Sequence, residues 1–262
     1  MTTSSETSPA PSAPYGYALA QQIAEERGLL LEREEFFEQR TPTLRVGLNS
    51  APPQVQEQGE NNTVIVGSRT HAGKGLIILK GRDNLVVIGP YARMGGGKIE
   101  VIGDGTVFWF GAQGSCDSII AMPRERQRII IGDGCLFSAR TLLETSDHHP
   151  IFDMGTGERV NGAGSIDIGN DVWIGRDVHV GKGAVIGSGS VVGSRSTVTG
   201  SKCAEEHNVY AGTPARKIRE GVRWAHQKAE TLDEYLTSDY EAQREAQRDW
   251  VRARTAAAVE ES

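Results

Sequence analysis

From Ile168 onward an aliphatic residue returns at every sixth position: Ile168, Ile174, Val180, Ile186, Val192 and Val198. Each of the first five is followed by glycine. Four positions after each stands a small or β-branched residue, Val172, Val178, Ala184, Ser190 and Ser196. An even period puts every guide residue on one face of an extended chain. Hairpins would need turn pairs such as Asn-Gly at each reversal, and this stretch has none. A coil of very short strands satisfies the pattern instead. Six residues make one flat side and glycine eases the corner. Three sides close a triangle, so about 18 residues make one rung whose aliphatic residues stack on the next. Ile131-Gly132, Phe137 and Leu143 follow the same rule upstream, with looser echoes at Val66-Gly67, Ile88-Gly89 and Ile102-Gly103.

Glycine usage agrees with the coil. All but five of the 32 glycines fall between Asn61 and Gly212, so residues 61–212 are expected to supply about eight rungs, with caps at both ends. The expected order is a disordered leader over 1–14, rich in Ser, Thr and Pro, then a helical segment and linker over 15–60, broken at Gly28. The β-helix occupies 61–216, with a loop at 150–166, and two helices follow at 217–229 and 231–258. The fold class is therefore mainly β, a parallel β-helix with helical extensions at both ends.

A net charge of −6 gives no broad cationic field for nucleic acid. No apolar run reaches membrane-spanning length, and the N-terminus lacks the basic and apolar regions of a signal peptide. Cys116, Cys135 and Cys203 are odd in number and unpaired in spacing, which points to reduced thiols, no cysteine metal site and a soluble cytoplasmic protein.

The register fails at one place. Counting sixes from Ile131 through Phe137 and Leu143 lands on His149, where an aliphatic is due, and Pro150 then removes a backbone donor. The register resumes at Ile168 out of phase, so 149–166 is expected to loop out of the coil. A histidine at the root of such a loop is suited to general-base removal of a hydroxyl proton. Asp147 or Asp153 would orient the ring. Between the adjacent pair, His149 is favoured and His148 is the alternative. Trp173 takes an outward hexapeptide position, where a large aromatic calls for cover by a ligand or a second subunit. Arg216, Lys217 and Arg219 form the one compact basic cluster after the repeat. Phe108-Trp109-Phe110 is read as packing in preference to an acceptor site, Asp133 as a corner residue, Cys135 as core and His179 as a solvated outward residue.

The hexapeptides, the stretch Thr145-Ser-Asp-His-His-Pro-Ile-Phe-Asp153 continued by Thr156-Gly-Glu-Arg-Val-Asn161, Asp171-Val-Trp-Ile-Gly175 and Ala211-Gly-Thr-Pro-Ala-Arg-Lys-Ile-Arg219 together resemble a known family. They are similar to the left-handed β-helix acyltransferases, and within these to bacterial O-acetyltransferases of capsular and other cell-surface polysaccharides. The resemblance covers about 130–225 well and 61–129 loosely. It implies acetyl transfer from acetyl-CoA to a sugar hydroxyl by direct attack, with His149 as base and no metal. It further implies that the Arg176 amide binds the acetyl oxygen and that Ser194 and Thr199 contact pantetheine. Arg216 and Arg219 would meet the nucleotide end, with donor held between subunits of a homotrimer. Gly200 stands where many relatives carry lysine, with Lys202 nearby. Competing readings are N-acylation of an amino sugar nucleotide, a zinc hydratase of the gamma carbonic anhydrase type using His148, His149 and His179, and a non-catalytic oligomeric scaffold.

Overall fold

The computed structural model describes residues 15–255; the leader expected over 1–14, and residues 256–258 of the last expected helix, lie outside them. The chain winds through three parallel sheets that form the faces of one β-helix. Face 1 carries parallel strands from Leu44–Gly47 to Val185–Ile186, with Phe37–Gln39 added antiparallel at its start. Face 2 runs from Arg93–Met94 to Val209–Gly212, and face 3 from Gln54–Glu60 to Thr197–Val198. Successive guide residues visit faces 1, 2 and 3 in turn. Ile168 therefore stacks on Ile186, Ile174 on Val192 and Val180 on Val198. All six are at most 1% exposed, as are the small residues Val172, Val178, Ala184, Ser190 and Ser196.

The upstream turns are larger, which is why their echo in the sequence is loose. Val64 pairs with Val86 and Val86 with Phe108, 22 residues per turn. The extra residues lengthen face 3, where Gly75–Arg82 is the longest strand. Buried Asn62 and Asn84 ladder the corner back to face 1, Asn62 Oδ1 accepting from Asn84 N at 3.0 Å and Asn84 Oδ1 from Thr106 N at 2.9 Å. Face 3 has seven strands in all, fewer than the eight rungs expected, because the upstream turns are long and an excursion consumes chain. Winding also begins before Asn61: Leu44–Gly47, in the segment expected to be linker, already pairs in parallel with Thr63–Val66.

Helix α1, Tyr15–Arg27, ends at Gly28, whose φ of +62° is left-handed and glycine-compatible. Tyr17, Ala20, Ile23, Leu29 and Leu31 pack on the outer side of face 1 against Ile65, Val87, Trp109 and Ile130. Face 1 is thereby buried on both sides. Phe108-Trp109-Phe110 is packing as expected, with Phe108 and Phe110 inward and Trp109 outward beneath α1. Asp133 does more than turn a corner. Its buried carboxylate accepts from Ala112 N at 2.7 Å and Leu30 N at 3.1 Å, tying the N-terminal arm to the coil, and burial pushes its pKa up to about 7.

The helix expected at 217–229 is absent. Ala215–Arg219 instead turns back as an antiparallel strand on Val209–Gly212 and closes the end of face 2, pairing backbone groups that the last turn would leave open. Short α2, Leu232–Leu236, and α3, Asp239–Thr255, follow. Arg254 of α3 pairs with fully buried Glu32, whose other oxygen accepts from Ser68 N at 2.7 Å, so the two terminal arms meet on face 1. Trp109→Ala is expected to cost about 3–5 kcal/mol in chemical denaturation, with amide exchange accelerating in α1. Trp109→Phe should leave any enzymatic activity of the protein unchanged.

Candidate active site

Regular coiling stops after Thr145, four residues earlier than counting by sixes placed it. The coil position after Leu143 is taken by Ile168, so His149 does not occupy a rung. The run Ser-Asp-His-His-Pro offers no apolar side chain to the interior, and Pro150 has no amide for a ladder. The chain leaves as an excursion over 146–165, closed at its root by Gly164 N donating to Thr145 O at 2.9 Å. Within it Val160 N donates to Ile151 O at 2.9 Å, and two ion pairs brace it to the coil, Arg159 with Glu125 at 3.0 Å and Lys182 with Asp147. Its tip carries exposed Ile151, Phe152, Met154 and Val160.

Asn161, 7% exposed, organises the root. Its amide nitrogen donates to His149 O at 2.8 Å and Asp147 Oδ2 at 2.9 Å, while its oxygen accepts from Ile151 N at 2.7 Å. These bonds fix the backbone of His149 and leave its ring exposed and without a hydrogen-bond partner among the described residues. His148, with φ of +65°, turns the other way and its Nε2 lies 2.8 Å from Glu144 Oε1. The second Glu144 oxygen is 3.1 Å from His179 Nε2, which is buried without an aligned hydrogen bond. His179 is therefore part of the site's surroundings and not simply a solvated residue.

The carboxylates expected to orient the base have other partners. Asp147 is held by Lys182 and Asn161, which keep its carboxyl below the usual carboxylate range. Asp153 closes its own turn, accepting from Thr156 N and Gly155 N at 2.8 Å, which lowers its pKa too. Glu144 is the carboxylate in contact with an imidazole. Sequence reasoning passed over Glu144, Asn161 and Lys182. Glu144 carried one signal, its outward position four residues before His148; Lys182 had none, because only the coil brings face 3 beside the excursion.

The residues expected around a donor lie elsewhere on the coil. Trp173 is on face 2, 39% exposed, with its ring 6.1 Å from that of Trp224. Arg176 and Ser194 stack at the corner between faces 2 and 3, where Arg176 N donates to Ser194 Oγ at 3.2 Å. The same corner receives Thr213 from the terminal hairpin, 3.4 Å from Thr197 Oγ1. Thr199 follows the last strand of face 3 and is exposed. On the hairpin Lys217 is paired with Glu205 at 2.7 Å and Glu220 at 3.4 Å, while Arg216 makes only a local bond to Ala215 O. Arg216 and Arg219 therefore carry the unpaired charge of the cluster among the described residues. One chain thus divides the expected site between the root of the excursion and the face 2–3 corner. No set of three His, Cys, Asp or Glu side chains among the described residues is arranged to hold a metal ion, and no helix there is long and apolar enough to cross a membrane.

The three-faced coil and its six-residue register define the chain as a hexapeptide-repeat β-helix protein. The family model "Bacterial transferase hexapeptide (six repeats)" matches residues 165–200. Two curated relatives are similar over part of the chain. The polysialic acid O-acetyltransferase of Escherichia coli O1:K1 / APEC is 41% identical over 123 residues, 45% of this chain and 38% of that protein. The Neisseria meningitidis polysialic acid O-acetyltransferase is 28% identical over 141 residues, covering 45% of this chain and 64% of its own. The match thus spans under two thirds of either relative. Among solved structures, the polySia-specific acetyltransferase NeuO aligns over 79% of this chain and 91% of its own, with 29% identity and a TM-score of 0.65.

Between Trp224 and Tyr240, His226 is held neutral. Burial and the neighbouring Arg244 cation lower its pKa to about 4. The unfolded chain protonates this histidine near 6.5 and the folded chain only near 4, so stability is full above 6.5 and falls as pH drops through that window. His226→Gln should flatten the stability difference between pH 7 and pH 4.5 measured by urea unfolding.

Proposed function

We propose that the protein is an acetyl-CoA-dependent O-acetyltransferase acting on a hydroxyl of a sugar chain. The alignment with the polySia-specific acetyltransferase, over four fifths of this chain, carries the reading. Acetyl transfer to polysialic acid is also what the two curated relatives are named for. The exposed His149 ring on a pinned backbone is the feature of this chain that best fits a base.

In the proposed reaction the His149 imidazole takes the hydroxyl proton as the sugar oxygen attacks the thioester carbonyl. The carbonyl oxygen takes up the negative charge, and the Arg176 N–H is its donor once the Ser194 hydroxyl turns aside. Collapse of the intermediate expels the coenzyme A thiolate, which receives the proton from the imidazolium. An acetylated sugar and free coenzyme A thiol result. Glu144 holds His148 aside, so that its role is to shape the root and not to take the proton.

The division of the site supports a homotrimer. In one chain the base sits at the root of the excursion and Trp173, Arg176 and Ser194 near the face 2–3 corner, so a second copy laid alongside completes the constellation. The exposed apolar tip of the excursion gives such a copy something to cover. A cytoplasmic setting, where acetyl-CoA is available, completes the proposal.

His149→Ala is expected to lower kcat by at least 10²-fold, the usual scale for a general base, with coenzyme A affinity kept within a few-fold by calorimetry. If His148→Ala abolishes turnover and His149→Ala does not, the base is His148 oriented by Glu144. Arg219→Ala should raise KM for acetyl-CoA about tenfold, one charge-assisted contact, and Lys217→Ala much less, because its charge is already paired. Initial-rate patterns should be those of a ternary complex, and an acetylated enzyme trapped in the absence of acceptor would overturn direct transfer.

A further inference from the structure

Helix α3 lies along the corner between faces 1 and 2. It is fastened there by Arg244 to Asp171 at 3.0 Å and by Gln113 Nε2, which donates to Arg244 O at 2.7 Å and Gln247 Oε1 at 3.0 Å. Between helix and coil runs a groove of about 560 Å³. Its floor is one outward column of face 2, in which His71, Arg93, Ser115 and Leu136 are successive ladder neighbours. The next residue in that column is Trp173.

The lining chemistry is selective. No carboxylate faces the groove, although the chain as a whole has a net charge of −6. Arg93 is exposed and has no carboxylate partner among the described residues. Arg69 is likewise unpaired by an acid, lying 5.5 Å over the ring of Tyr91 and 4.7 Å over that of Trp250. Guanidinium groups so placed are preorganised for a carboxylate, which they bind in a fork. Gln113, at the helix side of the groove, has its Oε1 buried without any hydrogen-bond donor among the described residues, an acceptor left for a ligand hydroxyl. Tyr91 and Tyr240 stand at the sides, offering flat apolar surfaces with a polar edge.

The groove is also continuous with the proposed transfer site. From Tyr240 the rings step to His226 at 5.9 Å, to Trp224 at 4.3 Å and to Trp173 at 6.1 Å. Arg93 and Trp173 are three rungs apart, about 14 Å at the usual strand spacing. A ligand gripped at Arg93 reaches Trp173 only if it is a chain of several sugar units.

We propose that the groove between α3 and face 2 holds a carboxylate-bearing oligosaccharide, with Arg69 and Arg93 binding carboxylates and Gln113 a hydroxyl, while a unit further along the chain is delivered past Trp173. The binding itself is independent of the transferase reading; only its role as acceptor-holding site rests on that reading. The test titrates full-length protein, without donor, against sialic acid oligomers, their carboxyl-reduced counterparts and coenzyme A in separate calorimetric arms. The acidic oligomer should bind and weaken with added salt, and the reduced oligomer should bind at least tenfold more weakly. Arg69→Gln with Arg93→Gln should lose at least tenfold in affinity for the acidic oligomer, and the double Lys variant should recover part of it. Coenzyme A affinity should not change. Equal binding of acidic and reduced oligomers, or an undiminished affinity in the Gln variant with an unchanged unfolding midpoint, overturns the proposal. A selective loss of coenzyme A binding overturns it also, by assigning the groove to the donor. Charge-dependent oligomer binding in a protein that transfers no acetyl group would leave the groove standing and remove the acetyltransferase reading.

Discussion

Everything in this molecule depends on the stacking of one turn of chain upon the next. A rung of the coil has almost no core of its own; Ile174 is buried because Phe137 lies beneath it and Val192 above. Such a stack is one-dimensional, and its ends would be open sheet edges if nothing covered them. Here Phe37–Gln39 and α1 close and flank the first turns, and the antiparallel Ala215–Arg219 closes the last of face 2. The buried Glu32–Arg254 pair joins the two terminal arms across face 1 and makes the covering of the coil a single structure.

The same stacking explains where chemistry can be placed. An inward guide position must be apolar, and only small or hydrogen-bonded polar residues fit at the corners, so a charged run can be accommodated only by leaving the coil, which the chain does between Thr145 and Ile166. The excursion is not slack. Asn161, Lys182 and Arg159 hold its root, and the result is a histidine whose backbone is fixed while its ring remains exposed. On face 2 the outward column from His71 through Arg93 to Trp173 is equally a product of stacking, since residues over a hundred positions apart in sequence become rungs of one ladder.

Legibility followed periodicity. The downstream turns, 18 residues each, were readable because every guide residue from Ile168 to Val198 falls inward and each corner is short. The upstream turns hid their register in 22-residue repeats, so the coil's beginning at Leu44 and its rung count were missed. Phe108-Trp109-Phe110 was legible as packing, but that two rings point inward and one lies under α1 was not. Residues 217–219 of the terminal hairpin read as the start of a helix because Lys217 and Arg219 are good helix formers, and the need to close a sheet edge overrode that propensity. At the candidate site the histidine pair and its extrusion were legible. The carboxylate beside an imidazole was not, because Glu144 competes with Asp147 and Asp153 only once their partners are known.

By itself the sequence determined a coil of parallel strands, its inward residues and the single interval where they give out, because burial in a stacked rung leaves a period that no other fold requires. Only the tertiary structure decided the partners of the charges. Whether Asp147 meets a histidine or Lys182, whether Lys217 or Arg219 keeps its charge free, and whether Arg69 and Arg93 share a groove beneath α3 depend on contacts between turns. Those contacts are set by which residues the winding brings opposite one another, and side-chain pairing across turns leaves no periodic trace along the chain.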